Sequence, residues 1–285
     1  MSPEQAFVWG KGVKVDTPQI DSLASGGLIC TNYFASSPVC TPSRASLVSG
    51  LYPQATGSPS NNMPLKDSIV TFAEVLRKRG YATSYLGKWH LDGGAKPGWG
   101  PARKFGFSDN RFMFNRGHWK KFGITKDGPQ VASRKNGKPS YGLDGADEKS
   151  FATDWLVDRS LDILERDKKK PFCLMLSLPD PHGPNSVRAP YDTMFDHLTF
   201  KEPVSMRKVL AALRNQPGWM KGSATVVKKL NQASMADYFG MVRCIDDNVG
   251  KILRFLEENK LAENTIVVFT SDHGDMMCEH CRLNK

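Results

Sequence analysis

The sequence predicts an α/β fold: a mostly parallel sheet sandwiched by helices. Two observations carry the prediction. Helix-like and strand-like segments alternate along the chain. Apolar runs at residues 82–86, 172–178 and 265–270 have the length and composition of buried strands. With 285 residues the chain can hold one large domain or two small ones. No internal repeat or low-complexity tract divides it.

The elements follow in order. Cys40-Thr41-Pro42-Ser43-Arg44 leads into the helix-like run Ala45-Ser46-Leu47-Val48-Ser49, closed by Gly50. Proline is tolerated in a first helical turn, so Cys40 is expected at or just before a helix N-terminus. Asp67 is expected to cap a helix with Ile69, Phe72, Val75 and Leu76 on one face and Gly80 as its stop. A strand follows at 82–86. Residues 93–145 are rich in Gly, Lys, Arg and Asn and read as a long irregular insertion rather than a separate domain. Residues 147–166 form a helix with Phe151, Trp155 and Leu164 inward, and 172–178 a strand between Pro171 and Pro179. Residues 184–230 are a second irregular insertion. The clearest helix is 234–259, with Tyr238, Val242, Ile245, Val249, Ile252 and Phe255 at three- and four-residue steps. The clearest buried strand is 265–270.

The formal net charge of +10 favours anionic partners. It is spread through loops, densest at 116–121 and 168–170, and is expected on solvated surface. No nucleic-acid recognition motif accompanies it, and no run is long and apolar enough to span a membrane. Neither nucleic acid nor a membrane is therefore an expected partner. The start, Met1-Ser2-Pro3-Glu4-Gln5, lacks the basic end and apolar core of a secretory signal. The six cysteines form no small-domain disulfide framework. Cys278-Glu279-His280-Cys281 has the spacing of a redox pair or half a zinc site, without a second Cys/His pair close by.

The Cys40 turn combines a thiol, free helix N-terminal amides and the guanidinium of Arg44, a grouping suited to an anion. The alternatives are a buried structural cysteine and a phosphatase loop. The latter wants an arginine six positions after the cysteine, where Ser46 stands. In open α/β sheets ligands bind beyond the carboxyl ends of strands. Three polar groups follow predicted strands: Gly87-Lys88-Trp89-His90, Asp180-Pro181-His182-Gly183-Pro184 and Ser271-Asp272-His273-Gly274-Asp275. Trp99, Trp119 and Trp219 are either packing residues or sugar-stacking platforms.

Cys40-x-Pro42-Ser43-Arg44 resembles the signature of the type I sulfatases, formylglycine-dependent members of the alkaline phosphatase superfamily, and the three groups resemble further family elements in the family's order. The resemblance implies one sulfatase catalytic domain over 1–285 that hydrolyses sulfate monoesters of a carbohydrate or aryl alcohol. It implies that a formylglycine-generating enzyme oxidises Cys40 to an aldehyde whose hydrate attacks sulfur. Arg44 would hold that group, and Lys88, His90, His182 and Lys285 would surround the sulfate. Cys40, Asp272 and His273 would hold a divalent cation, calcium by resemblance. The implied partners are a sulfated small molecule or glycan and the maturation enzyme. The implied compartment is periplasmic, extracellular or lysosomal.

The chain also departs from the family pattern. It starts after the expected first strand and its metal-binding aspartate pair, and it stops before the C-terminal subdomain. Asp16 and Asp21 match helix-entry positions, not ligands. Cys278 and Cys281 stand where the family has glycine. These departures raise a catalytically silent sulfatase fragment as an alternative. Another is a phosphonate or phosphodiester hydrolase, since those enzymes share the Cys-x-Pro-Ser-Arg signature.

Overall fold

The computed structural model describes residues 8–9, 13–212, 227 and 229–283. Val8–Trp9 (β1) and Val13–Lys14 (β2) pair antiparallel. Pro18–Ser25 (α1) begins with proline in its first turn. Its free amides at Gln19 and Ile20 donate to the Asp246 carboxylate at 3.1 and 2.8 Å. A carboxylate at a helix N-terminus satisfies orphan donors and opposes the helix dipole.

Cys40–Ser49 (α2) begins at the cysteine, as expected, and Gly50 closes it at φ 72. The short Pro53–Thr56 (α3) follows. Phe72–Lys78 (α4) is capped by Thr71, whose hydroxyl accepts from Glu74 N at 3.3 Å. This corrects the expected Asp67 cap. Asp67 stands a turn too early to reach the helix amides, and its exposed side chain pairs with Arg103.

Ala82–Lys88 (β3) runs two residues beyond its expected end. Asp109–Phe114 (β4) lies within the stretch expected to be irregular, yet it pairs parallel with β3. Its first half, Asp109-Asn110-Arg111, is polar and leaves only three consecutive apolar or aromatic residues to signal a strand. Two hairpins follow: Phe122–Thr125 (β5) with Gly128–Val131 (β6), and Arg134–Lys135 (β7) with Lys138–Pro139 (β8). Ala152–Asp167 (α5) buries Trp155, Leu156 and Leu164, and its N-cap Phe151 is buried too. Phe172–Ser177 (β9) pairs with the other edge of β3, giving the parallel order β4-β3-β9.

Because β3 is central, both its faces are covered. Tyr85 and Trp89 pack with Ala45 and Val48 of α2 and Ala73 of α4. Leu86 packs with Ala152, Trp155 and Leu156 of α5. Each fully buried large side chain stabilises by about 1.5–3 kcal/mol, which fixes the sheet between its helices. Trp99 and Trp119 are packing residues: Trp99 lies among Phe114, Phe122 and Trp155, and Trp119 against Tyr141. Trp219 lies outside the described residues.

Val204–Ala212 (α6) and Gln232–Glu258 (α7) complete the α-helices among the described residues. Met206, Met235, Phe239, Met277, Cys278 and Cys281 share one core cluster. Cys278 and Cys281 form no disulfide and take φ of 73° and 58°, in the left-handed region that favours glycine. Neither belongs to a metal-ligand group among the described residues.

The run 265–270 is not the expected buried strand. It pairs with no strand among the described residues, and Ile266 and Val268 are 93% and 77% exposed. Apolar composition alone does not make a strand; its backbone groups also need a neighbouring edge in register.

Candidate active site

Three pieces of backbone meet at Cys40. The first is the α2 N-terminus, which carries Cys40, Ser43 and Arg44. The second is the carboxyl end of β3. Gly87 there has φ 91, and a Cβ on it would collide with the Ser177 carbonyl of β9. Only glycine lets the two strands approach so closely, and the next residue, Lys88, then turns into the site. The third is the turn after residue 270.

Arg44 joins all three. Its Nη1 donates to Lys88 O at 2.6 Å and to Ser177 Oγ at 2.7 Å, and its Nη2 pairs with Asp272 Oδ2 at 2.9 Å. Tyr85 OH donates to the same Lys88 carbonyl at 2.6 Å. Ser43 Oγ donates to Asp272 O. Burial opposes the charge on Arg44, and Asp272, Tyr85 and Cys40 together outweigh it, holding the guanidinium above its ordinary value.

Around the thiol, Lys88 Nζ lies 3.6 Å and His273 Nε2 3.2 Å from Cys40 Sγ. His273 Nδ1 donates to Gly274 O at 2.7 Å, which leaves Nε2 facing the thiol. His90 takes φ 63 just past β3, and its Nε2 contacts Asn62 Oδ1 at 3.0 Å. Burial pushes its imidazole below the ordinary value; the neighbouring Cys40 opposes that shift, and Lys88 and Arg44 reinforce it. His90 Nδ1 and Arg44 Nε are buried with no hydrogen-bond partner among the described residues. Buried polar atoms are nearly always satisfied, so these atoms on two residues of the site leave hydrogen-bonding capacity for a polar ligand.

His182 reaches the site through a residue the sequence reading missed. The His118 and His182 rings stack with centroids 3.5 Å apart and planes 8° from parallel. His118 Nε2 lies 2.9 Å from Lys88 Nζ. His118 follows β4, so it joins the groups after β3 and β9 as a third polar group beyond a strand end; it was hidden because that strand was. The same stretch corrects a surface expectation. Lys120 is fully buried, with Nζ 2.5 Å from Asp180 Oδ1.

The structure thus brings Cys40, Arg44, Lys88, His90, Asp272 and His273 together, with His182 joined through His118. Lys285 lies outside the described residues. The Asp272 and His273 turn arrives without the strand expected to deliver it. Ser43 of the Cys40 signature, with Asn62, Tyr85 and Ser177, completes the surroundings; the last three are single hydroxyls or an amide with no sequence signal of their own.

Cys40, Asp272 and His273 each offer a ligand atom within 4.8 Å of the others. A carboxylate and an inward-facing imidazole nitrogen fit a divalent cation. Calcium takes about 6–8 oxygen ligands, so these residues make only part of its shell. Asp21, inside α1, accepts from Thr17 Oγ1 and is not in this group.

A family model described as Sulfatase matches residues 9–284. The chain is 31% identical over 266 residues to the ulvan-active sulfatase of Formosa agariphila, covering 92% of this chain and 46% of that protein. It is 26% identical over 342 residues to the N-acetylglucosamine-6-O-sulfatase of Bacteroides thetaiotaomicron, covering 97% of this chain and 57% of that protein. The crystal structure of yidJ from Bacteroides fragilis matches with a TM-score of 0.69 at 26% identity, covering 95% of this chain and 59% of that one. The chain therefore spans about half the length of the curated relatives it matches.

Proposed function

Since the chain belongs to the sulfatase family, we propose that it hydrolyses sulfate monoesters at the Cys40 site. One observation carries the reading. The Lys88 ammonium approaches the Cys40 sulfur, flanked by His273, with the buried Arg44 guanidinium, whose Nε donor is unsatisfied among the described residues, on the same helical turn. That is a cradle for a tetrahedral oxyanion around a potential nucleophile position.

Formylglycine made from Cys40 by a formylglycine-generating enzyme supplies the attacking oxygen when hydrated. The chain's own residues do the rest. Lys88 binds the non-bridging sulfate oxygens, and Arg44 fixes the position-40 side chain through its hold on Lys88 O and Asp272. His90, whose Nε2 donates to Asn62 Oδ1, offers its buried Nδ1 as an acceptor for a hydroxyl of the hydrated position-40 group. His182 holds a proton for the leaving oxygen, where negative charge grows as the ester bond breaks. Lys285 is proposed as a second sulfate-binding lysine. Asp272 and His273 hold a divalent cation, proposed as calcium, with oxygen donors beyond those described.

The substrate class we propose is a sulfated glycan. One relative is named for a sulfated amino sugar, and the net charge of +10 draws polyanions. An exported compartment is proposed by the same family analogy.

Initial rates on an aryl sulfate, an aryl phosphate and an aryl phosphonate monoester test the reading, with protein co-produced with the maturation enzyme. The sulfate should be hydrolysed at least about tenfold faster than either phosphorus ester, a difference of ~1.4 kcal/mol in barrier. A faster phosphonate or phosphate would make the chain a phosphorus-ester hydrolase. No turnover of any ester would mark a silent member.

A further inference from the structure

We propose that His118 is a positioning residue for Lys88, holding the ammonium against the position-40 group so that it meets the sulfate ready-aimed. This deepens the sulfatase reading above and rests on it.

Lysine ammonium has three N–H donors and no acceptor, so in the 2.9 Å contact His118 Nε2 accepts from Lys88 Nζ. That bond places the ring proton of His118 on Nδ1. A lysine stem is long and rotatable, and a bare ammonium is a point charge with no preferred direction. The Nε2 acceptor fixes one of its three protons, and with it the direction in which the ammonium approaches Cys40 Sγ at 3.6 Å. Fixed charges placed before the reaction need not reorganise when charge develops, so an aimed ammonium is worth more than a mobile one.

His118 is itself held on a rigid platform. Its ring lies flat on His182, whose Nδ1 contacts Gly183 O at 3.0 Å. Two residues from each histidine, Lys120 and Asp180 tie the two loops together inside the core. Lys120 Nζ also donates to His182 O at 3.3 Å, and Thr153 Oγ1 donates to Asp180 Oδ2 at 2.6 Å. An exposed histidine would not need such support; one that sets the direction of another group would.

Two variants separate the acceptor from the stack. His118→Phe keeps a flat ring on His182 and removes Nε2. His118→Gln loses the ring and keeps an acceptor on a side chain that reaches Lys88. Each is compared with wild type for kcat and KM on an aryl sulfate. Each is also titrated calorimetrically with sodium sulfate in the unmatured chain. Thermal melts show whether the variants fold, and His118→Leu replaces His118→Phe if the latter does not.

The proposal expects His118→Phe to lower kcat/KM by roughly 10- to 100-fold, as a misplacement of about 1 Å does, and to weaken sulfate binding in step. His118→Gln should stay within about threefold of wild type, a change of ~0.7 kcal/mol. A His118→Phe variant equal to wild type overturns it. So does a His118→Gln variant as impaired as His118→Phe, because the stack alone would then be the function. If wild type hydrolyses no ester but binds sulfate, the sulfatase reading fails and the sulfate titrations still decide the role of His118. A wild type that binds no sulfate overturns both.

Discussion

Lys120 and Asp180 meet in a 2.5 Å ion pair with side chains 0% and 1% exposed, joining the loop after β4 to the loop after β9. Each partner has further support, from Met241 Sδ and His182 O on one side and Thr153 Oγ1 on the other. The pair therefore fixes two of the loops that deliver histidines to the site. Two charges removed from water are tolerated only with such complete hydrogen bonding.

Breaking the pair from one side should be severe. Lys120→Met leaves Asp180 charged and buried, which costs about 3–5 kcal/mol and lowers Tm by roughly 6–20 °C. The double variant Lys120→Met with Asp180→Asn leaves no lone charge and should recover at least about half of that loss. Thermal melts of the three proteins check both statements.

Gly87→Ala tests the close approach of β3 to β9. At φ 91 the added methyl meets the Ser177 carbonyl, a backbone atom that cannot turn aside. The strands must part or the register must slip, at a cost of about 3 kcal/mol in chemical denaturation. Because Ser177 Oγ and Lys88 O both accept from Arg44, activity should fall by more than stability alone explains.

Arg44→Lys keeps the charge and loses the fork. One ammonium cannot at once reach Lys88 O, Ser177 Oγ and Asp272 Oδ2 in the planar geometry of a guanidinium. The variant should lose at least about tenfold in kcat/KM on an aryl sulfate, ~1.4 kcal/mol. Retained activity would mean that Arg44 supplies only charge.

An acid-side effect is expected from Asp109. Burial pushes its carboxyl up, but hydrogen bonds from Arg166 and Arg111 outweigh burial and hold it below the ordinary 3.8. A depressed carboxylate stabilises the fold above its unfolded pKa, and that contribution fades as pH falls through the folded value. Asp109→Asn should therefore be less stable than wild type by about 1 kcal/mol near neutrality, allowing for solvent screening of a partly exposed pair. The two proteins should converge as the pH drops below 3.8, which melts across an acid series would show.

Much of this arrangement was legible in the residues. Pro42 and Gly50 bracket α2, so the sequence alone places the cysteine at a helix N-terminus. The apolar steps along α7 and the short runs of β3 and β9 carry their own periodicity. What stayed hidden depends on partners. β4 opens with three polar residues and is a strand because β3 offers it an edge. Residues 265–270 have the opposite character: apolar, but without such an edge among the described residues. His118 was invisible for the same reason as β4, and Lys120 looked like surface because its buried partner lies sixty residues away. Thr71 outcompeted Asp67 by a single turn of backbone.

The central claim is that Cys40 is the reacting position of a sulfate-ester site. The most direct measurement combines two readouts on protein co-produced with a formylglycine-generating enzyme: the mass of the peptide carrying Cys40, and turnover of an aryl sulfate by wild type and by Cys40→Ala. The account predicts an aldehyde in place of the thiol and hydrolysis that Cys40→Ala abolishes. An unmodified thiol with no turnover, or turnover that survives Cys40→Ala, would contradict it.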